Sequence, residues 1–137
     1  MLELDKYSLG VGDRFAHQAA AQFRAFVQLA ELGKRVTPVW NKSNREHSFV
    51  GSEPSSVQIA AQRAVQQLDW QTHWHVDADH IQLQTVDRYL DCTDFFTIDV
   101  ADSIGGTVSD GDVTDFVARH AELVGDISHT EGLPENN

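Results

Sequence analysis

Side chains able to do chemistry follow directly after three apolar segments of this sequence. Each set contains carboxylates, and two of the sets add imidazole or cationic groups, which are the side chains that most often move protons in enzymes. The sets are Asn41–His47, then Asp77, Asp79 and His80, and finally Asp99 and Asp102. Three predicted strands therefore end in reactive groups.

The run Asn41–His47 places Lys42 beside an arginine, a carboxylate and an imidazole. Arginine binds a carboxylate bidentately, and a lysine in a desolvated cleft can have its pKa lowered enough to transfer protons. The run could thus hold a polyhydroxylated or carboxylated ligand. The alternative is a solvated surface loop, which most polar loops are. The position of the run directly after a short apolar strand favours the site.

The group Asp77, Asp79 and His80 suits a divalent ion or a general base, because oxygen and imidazole ligands bind Mn²⁺, Zn²⁺ or Mg²⁺. A second ligand set is conceivable, since His73, His75 and Asp77 share strand parity. Alternating histidines of this kind also occur as packing or solvent-facing residues.

After the third apolar segment, at least one of Asp99 and Asp102 is expected at the rim of the sheet. The competing role for Asp102 is to cap the following turn, because aspartate is common in turns.

Strands and helices are predicted to alternate along the chain. Glycine, proline and capping residues mark the helix ends, and apolar residues at helical spacing mark the buried faces. The predicted strands are Tyr7–Gly12, Val36–Trp40, Thr72–Asp77 and Asp94–Val100. Four helices are predicted: the first follows Asp13-Arg14, the second begins near Ser52-Glu53-Pro54, the third spans Thr85–Leu90, and the fourth begins at Ser109. The polar run after Trp40 is predicted to be a loop.

This alternation predicts an α/β fold with a parallel sheet, whose active groups lie beyond the carboxyl ends of the strands. Four βα units amount to half of a (βα)8 TIM-like barrel, which takes at least ~200 residues. An open flavodoxin-like layer is the alternative. One domain is expected over residues 1–124, followed by a polar, mobile tail over residues 125–137.

Charge is spread unevenly over the 137 residues, whose formal net charge is −11. Residues 1–68 hold eight Lys or Arg and six Asp or Glu, whereas residues 69–137 hold two and fifteen. Such a surface repels phosphate, which argues against nucleic acid and anionic membranes as partners. An acid-rich half could bind a cation, although most of its carboxylates are expected simply to face solvent.

Cys92 is the only cysteine, which is compatible with a reducing compartment. No window approaches the ~18 apolar residues of a membrane span, and the first thirty residues lack a secretion-signal pattern, so a cytoplasmic location is expected. Serine-hydrolase elbows, phosphate-binding P-loops and Cys-x-x-Cys pairs are missing from the sequence, which leaves those classes without support.

Five segments, in this order and spacing, resemble the tagaturonate epimerase family: Gly12–Phe15, Thr37–His47, Val76–Ile81, Thr85–Arg88 and Phe95–Asp102. The resemblance implies a barrel-like α/β enzyme that uses a divalent metal ion, Mn²⁺, Zn²⁺ or similar, to epimerise a keto-hexuronate or a related ketohexose. Family members are several times longer. The chain is therefore expected to supply an N-terminal part of the site, and to form a homo-oligomer or to belong with a missing C-terminal part.

Site roles follow from the same resemblance. It implies that Lys42 and Asp79 are acid/base groups, with Glu46 as a third catalytic residue. The remaining predicted residues are the substrate-binding set Asp13, Arg14, Asn41, Asn44, Arg45 and His47, and the metal-binding set Asp77, His80 and Asp99.

Both possible routes to epimerisation, deprotonation with return of the proton on the opposite face or cleavage and reclosure of a carbon–carbon bond, pass through an enolate that a cation stabilises. Two other hypotheses stay open. One is a non-catalytic, self-associating remnant of the family. The other is a metal-dependent hydrolase using His73, His75 and Asp79.

Overall fold

The computed structural model describes residues 5–125. Strands and helices alternate along this range. In chain order the strands and α-helices are β1 (Ser8–Val11), α1 (Ala19–Glu31), β2 (Thr37–Ser43), α2 (Asn44–Val50), α3 (Ser55–Gln67), β3 (His75–Ile81), β4 (Phe95–Ile98) and α4 (Asp110–Arg119). Single 3-10 turns lie at Val86–Arg88, Ala101–Ser103 and Ala121–Leu123.

The four strands form one parallel sheet in the order β1-β2-β3-β4. Neighbours in the sheet are therefore neighbours in the chain, and each connection crosses over the sheet from one end to the other. In register, Thr37 pairs with Ser8, His75 with Val39, and Phe95 with Asp77. The predicted α/β fold with parallel strands is confirmed, in the arrangement expected for part of a TIM-like barrel.

Helices α1 and α3 cover one face of this sheet and form the main hydrophobic core with it. Phe23 lies at its centre, with ring centroids 5.1 Å from Trp40 and 5.0 Å from Trp70, both edge to face. Alternation along β2 and β3 directs Trp40 and Val76 to this face. Residues one position away point to the opposite face of the sheet.

The sequence predicted a loop for the polar run after Trp40, and this prediction is wrong. In the structure the run forms the end of β2, followed by helix α2. Ser43 starts the helix with a capping box, in which its hydroxyl accepts from the backbone N–H of Glu46 and its own N–H donates to the Glu46 carboxylate. Gly51 ends the helix with φ of 67°, a left-handed conformation that favours glycine. Short-range capping therefore makes a helix from residues without an apolar stripe.

Strand β3 begins three residues later than predicted and continues through Asp79 and His80 to Ile81. Its pairing with β4 shifts register between Ala78 and Ile81, and His80 there has φ of 54°. The predicted helix over Thr85–Leu90 is a single 3-10 turn.

A second compact unit begins at Asp102, inside the range that was predicted as one domain. Its described part contains α4, capped by the predicted residue Ser109, whose hydroxyl accepts from the Asp112 N–H at 3.1 Å. Residues 126–137, which make up almost all of the predicted mobile tail, lie outside the described range. Among the helices of residues 5–125, none is long and apolar enough to cross a bilayer.

Candidate functional site

The predicted site residues gather at the carboxyl edge of the sheet. Each segment follows or ends a strand: Asp13 and Arg14 after β1, Asn41–His47 at the end of β2, Asp77–His80 along β3, and Asp99 after β4. Parallel pairing brings these ends to one edge, which is where open α/β folds bind ligands. The predicted location of the site agrees with the fold.

An open cleft of about 370 Å³ lies at this edge, lined by Gly12, Asp13, Arg14, Phe15, Asn41 and Glu46. Gly12 is needed there because a Cβ atom would overlap both the carbonyl oxygen and the side-chain oxygen of Asn41. The backbone of β1 thus approaches β2 closely at the floor of the cleft. Four predicted site residues, Asp13, Arg14, Asn41 and Glu46, line this cleft together.

The carboxylate of Asp13 organises the loop that borders the cleft. It accepts hydrogen bonds from the backbone N–H groups of Phe15 and His17 at 3.1 Å and of Gln18 at 2.9 Å. Partial burial acts to raise the pKa of Asp13, but these three donors outweigh it and hold the pKa below its usual value. Asp13 therefore stays ionised, with its oxygens committed to the loop.

Arg14 is the exposed cation of the cleft. Its Nε lies 3.7 Å from Glu46 Oε1, and its guanidinium lies 5.5 Å from the centroid of the Phe49 ring. Both contacts are weak in water. The guanidinium is free to turn towards an anionic ligand.

Lys42 is almost completely buried beside the cleft, with 2% of its surface exposed. Its Nζ donates to Ser52 Oγ at 2.8 Å, and the same oxygen lies 3.0 Å from Nδ1 of His47, which is 1% exposed. The ring of His47 packs edge to face against Tyr89 at 5.9 Å. His47, predicted to bind substrate, thus contacts Ser52 and Tyr89 instead of the cleft.

Burial shifts the pKa of both side chains that contact Ser52. It lowers the pKa of Lys42, against the opposing effect of the Glu46 and Asp13 carboxylates. It also lowers the pKa of His47, reinforced by the nearby Lys42 charge, from 6.5 to about 4. At neutral pH the imidazole is therefore uncharged beside the lysine.

Glu46 serves the capping box of α2 with one oxygen and faces Arg14 with the other. Asn44 accepts from Arg88 Nη1 at 2.8 Å and from the Tyr89 hydroxyl at 3.4 Å, whereas Arg45 is exposed on α2. The substrate-binding role predicted for Asn44 would therefore compete with a contact that joins α2 to the segment after β3.

Asp77 is buried and its carboxylate is bound to the neighbouring strand. Its oxygens accept from the Thr97 backbone N–H at 3.0 Å and from the Thr97 hydroxyl at 2.7 Å. Burial raises the pKa of Asp77, and the nearby Asp79 carboxylate adds to the increase. The side chain predicted as a metal ligand is thus part of the β3–β4 pairing.

The other predicted metal ligands are also engaged separately. His80 is exposed, with Nδ1 at 2.8 Å from Asp79 Oδ1, and Asp99 accepts from the Ala101 N–H at 3.0 Å, as a turn cap. Within residues 5–125 no group of three or more His, Cys, Asp or Glu side chains is arranged to hold a metal ion. Asp79 and His80 offer two neighbouring donors, which is only part of a ligand set.

The two predicted acid/base groups do not contact each other. Lys42 pairs in register with Ala78, and Asp79 pairs with Ser43. Because neighbours in register point to the same face, Lys42 and Asp79 point to opposite faces of the sheet. Lys42 lies on the helix-covered face with His47 and Tyr89, and Asp79 lies on the other.

His73 and His75 lie towards the amino edge of the sheet. His73 contacts Asp5 at 3.2 Å, and buried His75 contacts Asp94 at 3.0 Å. Four residues of strand separate His75 from Asp79, about 13 Å along the backbone. The ligand set of the hydrolase hypothesis is therefore not brought together by the described residues. A larger cleft of about 850 Å³ also lies at the amino edge, beside Thr37 and His73, away from the carboxyl-edge groups.

Sequence patterns missed the partners that hold these groups in place, Ser52 above all. Ser52 directly follows the C-capping Gly51, a position that could have been recognised once α2 was identified. Thr97, Asp94 and Tyr89 are partners from distant segments, and no local signal marks them.

The chain was compared with a family model and with solved structures. The model of the tagaturonate epimerase family, UxaE, matches residues 1–131. The glycerol-complexed and native crystal structures of the fructuronate-tagaturonate epimerase UxaE from Cohnella laeviribosi are similar in fold, each with a TM-score of 0.62, 20% identity, and coverage of 82% of this chain.

The same matches cover 26% of the Cohnella chain, so this chain spans about a quarter of the length of those structures. No curated protein sequence gives a significant match. The family match extends over nearly the whole sequence and includes all four strands of the sheet. The chain therefore belongs to the tagaturonate epimerase family.

Proposed function

We propose that this chain takes part in the epimerisation of a keto-hexuronate of the tagaturonate or fructuronate type, or of a related ketohexose, and that it supplies the N-terminal part of the enzyme's site. Membership of the family and the fold shared with a fructuronate-tagaturonate epimerase support this proposal. The chain spans about a quarter of that enzyme. The rest of the site would come from a longer chain or from other copies.

The observation that carries the proposal is the pairing of an open, cation-bearing cleft with a buried lysine. Arg14 lines the cleft and has few strong contacts of its own, so it can bind the carboxylate of a sugar acid bidentately. Asn41 and Glu46 add groups that can hydrogen-bond hydroxyls. The expected ligand is thus a polyhydroxylated carboxylate.

Proton transfer is assigned to Lys42 and Asp79. A lysine whose pKa is lowered by burial can give and take a proton at neutral pH more readily than an exposed one. Asp79 is partly exposed and sits beside His80 on the other face of the sheet. An inversion needs one group to remove the proton and a second to return it, and Lys42 and Asp79 are the candidates for these two roles, whereas a single base would serve cleavage and reclosure.

A divalent metal ion is part of the proposal, and it would stabilise the enolate that either route forms. Asp79 and His80 are the described side chains best placed to contribute ligands, and the remaining donors would come from elsewhere. Addition of Mn²⁺ alone, followed by NMR, tests this. We expect the His80 ring signals to broaden much more than those of His73, which lies towards the amino edge of the sheet; equal broadening of both, or of neither, would contradict the assignment.

The site is tested with tagaturonate and fructuronate as probes, using saturation-transfer NMR for binding and product detection for turnover. We expect the parent chain to bind, and Arg14→Ala to weaken binding about tenfold through loss of a charged contact. Arg24→Ala, at an exposed arginine of α1, is the matched control. A parent chain that binds neither sugar acid at millimolar concentration would overturn the proposal.

If the parent chain turns over a sugar acid, the rates of single variants test the acid/base roles of Lys42 and Asp79. Lys42→Ala and Asp79→Asn should each lower kcat by about 10²- to 10⁴-fold while the circular dichroism spectrum stays unchanged. Full activity in both variants would sink the assignment of these residues.

A self-associating, non-catalytic remnant is the second candidate, favoured by the exposed apolar side chains of the outer strands. Leu9 of β1 is 55% exposed and Ile98 of β4 is 72% exposed, and both strands have an unpaired edge within the described sheet. Such edges favour association. Light scattering gives the mass in solution, and an assembly that lacks sugar-acid binding would support the remnant.

The proposed compartment is the cytoplasm, where a buried free thiol such as Cys92 stays reduced.

A further inference from the structure

The hydroxyl of Ser52 connects two buried groups, the Lys42 ammonium and the His47 imidazole. Its oxygen lies 2.8 Å from Lys42 Nζ and 3.0 Å from His47 Nδ1, and both side chains are almost entirely removed from solvent. This contact lies on the helix-covered face, behind the cleft. Burial in surroundings of low dielectric constant makes each of these hydrogen bonds stronger and its loss more costly.

The direction of each hydrogen bond follows from the donors available. A protonated lysine has only donors, so Ser52 Oγ must accept from Lys42. The single hydroxyl proton can then point at His47 Nδ1, which in that arrangement is the unprotonated acceptor. The proton of the neutral imidazole consequently resides on Nε2. One serine thereby sets both the orientation of the ammonium group and the tautomer of the histidine.

We propose that Ser52 is a positioning residue of the epimerase site, which together with neutral His47 fixes the Lys42 side chain for proton transfer. The inference rests on the proposed function, because it gives Lys42 the acid/base role. It adds a residue that the family motif did not mark and gives His47 a supporting role in place of substrate binding.

The backbone around Ser52 is rigid enough for such a role. Its N–H donates to the His47 carbonyl at 3.0 Å, directly after the left-handed Gly51, so the end of α2 holds it in place. His47 is held in turn by the Tyr89 ring. The serine therefore belongs to a helix terminus with defined geometry and not to a mobile loop.

The charges around this group keep a single cation in it. Glu46 of α2 and Asp13 of the first loop act on Lys42, and Arg88 and Glu53 act on His47 from the segments packed beside it. A protonated His47 would place a second buried cation next to Lys42. The neutral imidazole avoids this repulsion and leaves the lysine as the group that exchanges protons.

Nitrogen-15 NMR of the histidine rings tests the inference without any substrate. In the parent protein at pH 7 we expect His47 to show an unprotonated Nδ1 and a protonated Nε2. A protonated Nδ1 in the parent would overturn the proposal at once, and this measurement requires no variant.

Substitutions at position 52 provide the second arm. Ser52→Ala should shift the His47 Nδ1 resonance and the pH titration of the Lys42 ε-methylene signal, whereas Ser52→Thr, which keeps the hydroxyl, should restore both. Ser48→Ala, at an exposed serine of α2, is the matched control and should change neither. Unchanged signals in Ser52→Ala would refute the role of Ser52 whether or not the chain turns over sugar acids.

Activity separates this inference from the proposed function. For an active parent, Ser52→Ala should lower kcat about a hundredfold through misplacement of Lys42, with KM little changed, and Ser52→Thr should recover most of it. Loss of activity in Lys42→Ala with full activity in Ser52→Ala would leave the epimerase function intact and remove the positioning role.

Discussion

The ends of strands β2 and β3 carry similar residue types but are built differently. At the end of β2, Lys42 and His47 are buried, and the last strand residue, Ser43, is also the N-cap of α2. At the end of β3, the pairing becomes irregular, and a partly exposed Asp79 forms a separate pair with the exposed His80. A helix that begins at the last strand residue fixes side chains, whereas a strand that breaks its register exposes them.

The difference assigns different functions to the two ends. Buried groups with altered pKa values suit proton transfer at a defined atom, and a partly exposed carboxylate beside an exposed imidazole suits an ion or substrate that arrives from outside. Asp77 is the exception at the β3 end, because its carboxylate is buried and bonded to Thr97. The following predictions test how far this contrast holds, beginning with that exception.

Replacement of Asp77 should have the largest effect on stability. Asp77→Ala leaves the backbone N–H and the hydroxyl of Thr97 without their acceptor, and we expect a loss of about 3 kcal/mol in the free energy of unfolding, measured by urea denaturation without added metal. Thr97→Val removes one of the two bonds and should cost about 1 kcal/mol. If Asp77 acted only as a metal ligand, Asp77→Ala would instead raise the free energy of unfolding without metal, because it would remove the repulsion between Asp77 and Asp79.

His47 should make the β2 end sensitive to acid. Because its pKa is about 4 in the folded protein and 6.5 unfolded, the unfolded state binds more protons between these values, so stability falls as the pH drops through this window. From pH 7 to pH 5 the loss amounts to roughly 2 kcal/mol.

The variant His47→Gln keeps an acceptor for Ser52 but cannot titrate, so it should lack this part of the pH dependence in urea denaturation at the two pH values. His17→Gln, at an exposed imidazole, is the matched control. An equal loss of stability in the parent and in His47→Gln would show that His47 does not carry the effect.

Glu46 joins the capping box to the cleft, and two substitutions separate these roles. Glu46→Ala should lower the free energy of unfolding by about 1 kcal/mol through loss of the cap. Glu46→Gln retains the cap because glutamine fills the same position of a capping box, so its cost should stay below about 0.5 kcal/mol. If Glu46→Gln nonetheless abolishes turnover, the charge of Glu46 serves catalysis; equal destabilisation by both variants would contradict the capping role.

Arg14 should have the smallest effect on stability. Its ion pair with Glu46 is exposed and 3.7 Å long, so Arg14→Ala should change the free energy of unfolding by less than about 0.5 kcal/mol. The same variant is expected to weaken sugar-acid binding. A thermal shift larger than that of Glu46→Ala would show instead that Arg14 is part of the scaffold.

Local patterns predicted much of the fold. Gly33, Ser52-Glu53-Pro54 and Ser109 lie at or near the helix ends where the sequence placed them, and the alternation of elements led to the parallel sheet. The pattern of apolar residues predicted too early an end for β2, and too early a start and end for β3. Both are inner strands of the sheet. The pairing between β2 and β3 continues through polar residues such as Lys42 and Asp79, so hydrophobicity does not mark the end of either strand.

The capped helix α2 was missed although Ser43 and Glu46 spell a capping box, because its seven residues show no apolar stripe. The predicted topology gave the edge of the sheet at which the site residues lie. It did not predict which side chains bond to each other at that edge. Whether Lys42 bonds Ser52, or Asp77 bonds a threonine twenty residues later, depends on register and side-chain direction in the folded sheet. Such choices are tertiary and leave no local signal.

The strand order β1-β2-β3-β4 also bears on how the protein is made. Each strand after β1 pairs with the one synthesised just before it, so a newly made strand of the described sheet finds a neighbour that already exists. During translation, which releases the N-terminal part first, the sheet can grow by one strand at a time as the chain leaves the ribosome. In this order β4 is the last strand to join the described sheet.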